Sequence, residues 1–116
     1  MTGQIDSAMA NAFVNGNVCA MGSSMITHSE SGKRTYYYLH GNQIGYKNSR
    51  GDYFISNAEW HTKTTRRRLQ ALLDILEPNR YTINSRGGQG QHLLIDNVAG
   101  STRRLNGGWL LVKRGS

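Results

Sequence analysis

The chain has 116 residues, with fourteen Lys and Arg against seven Asp and Glu, a formal net charge of +7 and a pI near 10. That length and a hydrophobic content of 37% suit one modest core and exclude two. No apolar run approaches the roughly 18 residues of a membrane span, the first residues lack the basic-then-apolar layout of a secretion signal, and the single cysteine, Cys19, excludes an internal disulfide, so a cytoplasmic protein with no membrane partner is expected.

From Gln4 to Val14 the residues Ile5, Ala8, Met9, Ala12 and Phe13 recur at helical spacing, and the NGN of Asn15 to Asn17 ends the run. VCAMGSSMIT, Val18 to Thr27, alternates weakly and reads as a strand or an extended arm, broken by HSESGK. Residues 1–33 are therefore expected as an N-terminal extension holding a short helix and strand, ahead of a single domain over 34–116.

From Arg34 the strand signal sharpens. RTYYYLH is rich in aromatics, GN turns the chain, QIGYK returns, NSRGD turns again and YFIS follows, which predicts a three-stranded antiparallel meander. Alternation puts Tyr36 and Tyr38 on one face with His40, and Tyr37 and Leu39 on the other; the leucine face is the better core candidate. Trp60 stands where a large indole commonly pins a strand-to-helix connection.

TTRRRLQALLDIL, Thr64 to Leu76, predicts the one strongly amphipathic helix: Leu69, Leu72, Leu73 and Leu76 fall on a single stripe. Thr62, Thr64 or Thr65 can cap its start, and Pro78 sets its end near Glu77. Arg66, Arg67 and Arg68 then crowd the positive end of the helix dipole while Asp74 and Glu77 sit near the negative end, each misplacement costing about 0.3–1 kcal/mol. Arg67 points away from the leucines, Arg66 lies on one flank with Gln70 and Glu77, and Arg68 lies on the other with Ile75.

Beyond Pro78, RYTIN, HLLID and WLLVK are strand-like and are separated by SRGGQGQ and NVAGSTRRLNGG, suggesting a second hairpin or meander. The whole reads as α+β: small antiparallel sheets with one amphipathic helix, in the order β-β-β-α-β-β-β, behind the N-terminal extension.

The segment YYYLHGNQIGYKNSRGDYFISNAEWHTKTTRRRLQALLDIL, Tyr36 to Leu76, resembles a recurring, uncharacterised module of small proteins encoded by bacteriophages and prophages. The shared features are the YLHGN strand and turn, a YFIS-like strand, then a tryptophan and a T-x-T-T-R-x-R-L helix start. The resemblance covers about a third of the chain. It implies a phage origin, hence action in the cytoplasm of a bacterial host, and supplies no activity or catalytic residue.

The four histidines, His28, His40, His61 and His92, form none of the spacings that assemble metal or nucleophile chemistry, and Glu59 with His61 is the closest acid and histidine pair in the module. No catalysis, cofactor or metal site is expected; Glu59 suits the helix start electrostatically. The basic residues carry the functional expectation. Arg66, Arg67 and Arg68 at a helix start favour an anion, against the plainer reading of a solvated charged face. Arg34 with Tyr36 and Tyr38 combines a cation with rings that stack on bases if their face is open, against plain cross-strand packing. Arg86 borders a glycine-rich loop that is either a hairpin or a phosphate contact. Arg103 and Arg104, followed by Lys113 and Arg114, suit phosphate or the protection of a sheet edge.

The function expected is a non-enzymatic phage protein that engages nucleic acid through a basic surface. The rival is an anti-defence protein of the anti-CRISPR type, blocking a host protein or ribonucleoprotein with the same arginines. The partner is thus nucleic acid or a host complex containing it; the choice of DNA or RNA stays open, as does assembly into a homo-oligomer.

Overall fold

Two antiparallel sheets and two helices are laid out along the chain as α1 (Gln4–Asn15), β1 (Cys19–Met21), β2 (Ser24–His28), β3 (Thr35–Leu39), β4 (Asn42–Lys47), β5 (Tyr53–Ile55), α2 (Lys63–Leu76), β6 (Tyr81–Arg86), β7 (Gln91–Asp96), β8 (Ser101–Leu105) and β9 (Leu110–Lys113). The computed structural model describes residues 4–58, 62–86, 91–105 and 107–115. One sheet has six strands in the order β1-β2-β3-β4-β5-β9, and the other has three in the order β6-β7-β8. The α+β class and the β3-β4-β5 meander are as the sequence predicts. Trp60, Glu59, His61 and the loop Gly87–Gly90 lie outside the described residues.

The tight turns explain the meander. Leu39 pairs with Asn42, leaving His40 and Gly41 as the two-residue connection, both left-handed at φ 52° and 78°. That is the type I′ pattern whose twist matches paired strands. His40 is consequently a turn residue and does not share a strand face with Tyr36 and Tyr38.

Residues before Arg34 build the same core. β1 and β2 form a hairpin through Gly22 and Ser23, and β2 pairs with β3 along its whole length. α1 packs against α2 across the inner face of the large sheet. Its buried residues are Met9, Ala10 and Phe13 with Asp6; of the expected stripe Met9 and Phe13 are buried, Ala8 and Ala12 half-buried, and Ile5 is exposed. Asp6 can be buried beside them because its carboxylate accepts from the guanidinium of Arg68 on α2.

α2 keeps its leucine stripe entirely buried. Thr62 caps it, accepting from the Thr65 backbone N–H at 3.1 Å. Beginning at Lys63, one residue earlier than expected, the helix carries its arginines beyond the first turn, where the dipole penalty fades. At the other end Lys113 Nζ donates to the Leu76 carbonyl at 2.9 Å, a cation where the dipole favours one. Gln70 is also not a solvent residue: Nε2 donates to the Tyr81 carbonyl at 3.0 Å and Oε1 accepts from Ile83 N at 2.8 Å, fastening α2 to the edge of β6.

The second meander is β6-β7-β8, and its third strand is STRRL, not WLLVK. Ser101 to Arg104 are exposed and only Leu105 is buried, so this edge strand has no apolar alternation to betray it. WLLVK instead crosses to the large sheet as β9, pairs with β5 and delivers Val112 to the core.

Candidate functional site

The two helices cover one face of the large sheet, and among the described residues no helix covers the other, the open face. Tyr37 and Leu39 point into the core while Tyr36 and Tyr38 stay half-buried on the open face. Register places Thr27, Tyr36, Tyr46, Phe54 and Leu111 in one row across β2, β3, β4, β5 and β9. Tyr36 and Tyr46 stack nearly parallel, 5.6 Å between centroids and 10° between planes. Tyr46 and Phe54 continue the stack at 5.7 Å and 26°, and Tyr38 leans on Tyr36 at 6.5 Å. Such spacings are offset rather than eclipsed, so part of each ring face stays uncovered.

Trp109, 43% exposed, closes one side of this row, tilted 59° to Tyr46 at 6.1 Å. Its placement is built from below. Asn57, fully buried, donates through Nδ2 to the Leu105 carbonyl at 3.0 Å and accepts at Oδ1 from Gly107 N at 3.0 Å. Ser56 Oγ donates to the Gly107 carbonyl at 3.0 Å. The connection from β8 to β9 is thus pinned just before the indole. Arg34, Tyr36, Gln43, Tyr46, Phe54 and Trp109 together line an open cavity of about 430 Å³, within the range of roughly 300–1,000 Å³ usual for ligand sites. Gln43 Nε2 donates to the Tyr38 hydroxyl at 3.2 Å and so holds its amide at the cavity wall.

Sequence reasoning named Arg34, Tyr36 and Tyr38 in this site and missed Tyr46, Phe54, Trp109 and Gln43. The bulge explains Tyr46. Tyr37 pairs with Gly45 but Tyr38 pairs with Gln43, so Ile44 is an extra residue, and Ile44 and Gly45 are both buried. Strict alternation from a buried Ile44 would have taken Tyr46 into the core; the bulge turns it out.

The helix arginines do not join this site. Arg68 lies on the inner side of the sheet, its side chain 11% exposed, donating from Nη1 to Asp6 and from Nε to Ser24 Oγ at 3.0 Å. Tyr37 ends in the same cluster, and burial pushes its hydroxyl pKa well up, opposed by the charge of Arg68. Arg68 is therefore a core ion-pair residue and not an anion contact. Arg67 is exposed and Arg66 half-buried on that same helical side. Arg86 ends β6 beside the undescribed loop.

Arg103 and Arg104 are exposed on β8, pointing to opposite faces of the small sheet. Arg103 shares a cleft of about 140 Å³ with Leu111, Arg80 and Asp96, which brings basic charge to the far end of the aromatic row. Asp96 itself is committed. It accepts from Arg80 Nη2 at 3.0 Å and from the N–H groups of Val98 and Ala99 at 3.0 Å each, and the Arg80 bonds, more than the backbone ones, hold its carboxyl below the ordinary value. Asp6, Asp52 and Glu77 likewise pair with Arg68, Arg50 and Arg80. These four acids neutralise bases inside the fold or beside it, and Lys33, Arg34, Arg67, Arg103 and Arg104 are left exposed with none of these ion pairs.

Among the described residues no helix is long and apolar enough to cross a membrane. A family model described as Kyanoviridae Gp96 protein matches residues 2–109. The chain belongs to that family, and it is a phage protein. No curated protein matches it, and no solved structure does.

Proposed function

We propose that this phage protein of the Kyanoviridae Gp96 family is a binding protein for single-stranded nucleic acid, which it takes on the open face of the large sheet. The observation that carries the reading is the half-buried row Tyr36, Tyr46 and Phe54 with the exposed Trp109 beside it, bracketed by Arg34 at one end and Arg103 at the other. Unstacked bases gain by stacking on such rings, about 1–3 kcal/mol for each base. Exposed guanidinium groups at the ends of the row suit the phosphates between bases. A duplex hides its base faces and would meet only the charges, so single strands are preferred.

The test is equilibrium binding of short single-stranded DNA and RNA to the wild type and to Trp109→Ala and Tyr46→Ala, across salt. The expected result is affinity that falls steeply with salt, because phosphate contacts release counterions. Either ring variant should weaken it by about tenfold or more. No binding at about 50 mM salt, where the electrostatic contribution is strong, would overturn the proposal. Capture of a host protein that survives nuclease treatment, with no oligonucleotide bound, would replace it with the protein-blocking reading.

A further inference from the structure

The charges of this chain are unevenly spread. No Asp, Glu, Lys or Arg stands between Asp6 and Glu30, and all fourteen Lys and Arg come after Glu30. The neutral stretch folds as most of α1 and the β1–β2 hairpin, which ends the large sheet at β1. Four of the six large apolar side chains exposed among the described residues belong to α1 and this hairpin: Ile5, Val18, Met21 and Met25. The sheet edges differ accordingly. β6 is fastened to α2 through Gln70, β8 carries Arg103 and Arg104, and β9 carries Lys113; covering elements and charged side chains are the usual guards against edge-to-edge pairing. β1, Cys19–Met21, carries no charge, and among the described residues β2 is its only strand neighbour. Met21 lies opposite Ser24 across the turn of Gly22 and Ser23. The residues flanking a two-residue turn bond each other, so the alternation of an antiparallel ladder turns the backbone N–H and C=O of Ala20 outward, away from β2.

We infer that β1 pairs antiparallel with β1 of a second copy of this chain, about a two-fold axis at Ala20. In that register Ala20 exchanges two backbone hydrogen bonds with the partner's Ala20, and Cys19 faces the partner's Met21. Apolar side chains flank the seam on both sides: Met25 stands beside Ala20 on the open face, and Met21 alternates to the helical side, where Cys19 Sγ reaches Met9 Sδ of α1 at 3.8 Å. Charge selects the occupant. Two copies at +7 each repel where their basic surfaces meet and can approach at the neutral edge, whereas an acidic partner is drawn to the arginines elsewhere. The axis stands perpendicular to the sheet, so the two six-stranded sheets become one and both open faces lie on the same side. The pairing stands independently of any nucleic acid on that face.

The experiment is sedimentation equilibrium of the full chain from about 1 to about 300 μM, for the wild type, Ala20→Lys and Ala20→Pro, with thermal melts to establish that both variants are folded. The wild-type mass should rise from 12.9 kDa towards twice that value. Association should strengthen with salt, because screening relieves the repulsion between like-charged copies. Ala20→Lys sets two ammonium groups opposite each other, and Ala20→Pro removes both exchanged N–H donors at an edge position where the monomer tolerates proline. Each should weaken association by about tenfold or more while leaving the melting temperature near that of the wild type. Mild oxidation of Ala20→Cys in a Cys19→Ser background should cross-link the dimer, since Cα atoms of a hydrogen-bonded antiparallel pair are about 5.5 Å apart, within the span of a disulfide. A wild type that stays monomeric throughout would overturn the inference. A dimer that both Ala20→Lys and Ala20→Pro leave intact would place the contact elsewhere and overturn it too, as would a dimer in which Ala20→Cys forms no cross-link.

Discussion

β3 carries three tyrosines in succession and puts them to two uses, and the two faces of the large sheet differ in the same way. On the inner face the buried charge is paired: Arg68 is held by Asp6 and Ser24, with Tyr37 in the same cluster. On the outer face the rings stay half-buried, Arg34 is exposed, and the Gln43 amide is only partly engaged. Composition does not separate them, since each face has tyrosines, an arginine and a small polar side chain. Closure separates them. Where two helices cover the sheet, an arginine must find a carboxylate to be buried at all; where no described element covers it, the same residue types keep bonding capacity for a partner.

The largest effect is expected on the closed face. Asp6→Ala strands the Arg68 guanidinium in the core and should cost about 3–5 kcal/mol, the usual loss when one partner of a buried pair is removed. Chemical denaturation measures it. Replacing both, as Asp6→Leu with Arg68→Met, should recover most of that loss, because the cost lies in the unpaired charge. If Asp6→Ala were nearly silent, Arg68 would be reaching solvent, and the contrast between the faces would be weaker than it looks.

Gly45 is buried on the closed face, next to the bulge, and tests it. A Cβ built there would meet Tyr37 Cβ at 3.0 Å and Phe13 Cζ at 3.4 Å. Gly45→Ala should therefore destabilise by about 1–3 kcal/mol, the range for overpacking a core. A changed Tyr46 environment should accompany the loss, visible in near-ultraviolet circular dichroism, because the bulge that turns Tyr46 outward is anchored by this contact. Loss of stability with an unchanged aromatic signal would separate the bulge from the site.

These residues also show what could be read without coordinates. The helix of Lys63 to Leu76 was legible because its leucines repeat at one period and a threonine and a proline mark its ends. The face of Tyr37 and Leu39 was legible because β3 alternates cleanly. Tyr46 was not, since a single inserted residue in β4 reverses the parity and leaves no mark in composition. β8 was hidden by its polar exposed edge. The pairing of Asp6 with Arg68 spans most of the described chain, and no local pattern announces a contact of that range. Arg68 looked like its two neighbours until the partner appeared.

The smallest effect falls on one of those neighbours and asks whether the helical side takes any part in binding. Arg67 is exposed, it lies past the first turn, and Lys63 stands one turn before it. In Arg67→Glu the new carboxylate gains Lys63 as an i,i+4 partner and loses a like-charge neighbour, so stability should rise by about 0.2–0.5 kcal/mol. Arg68→Glu would do the reverse, setting a second carboxylate against Asp6. If oligonucleotides occupy the open face, Arg67→Glu should change affinity by less than about twofold at 0.1 M salt, since the sheet lies between and screening acts over about 10 Å. Arg34→Glu, at the cavity itself, should weaken binding severalfold under the same conditions. Should Arg67→Glu weaken binding as much as Arg34→Glu, the nucleic acid must reach α2, and the division of labour between the two faces would fail at the helix.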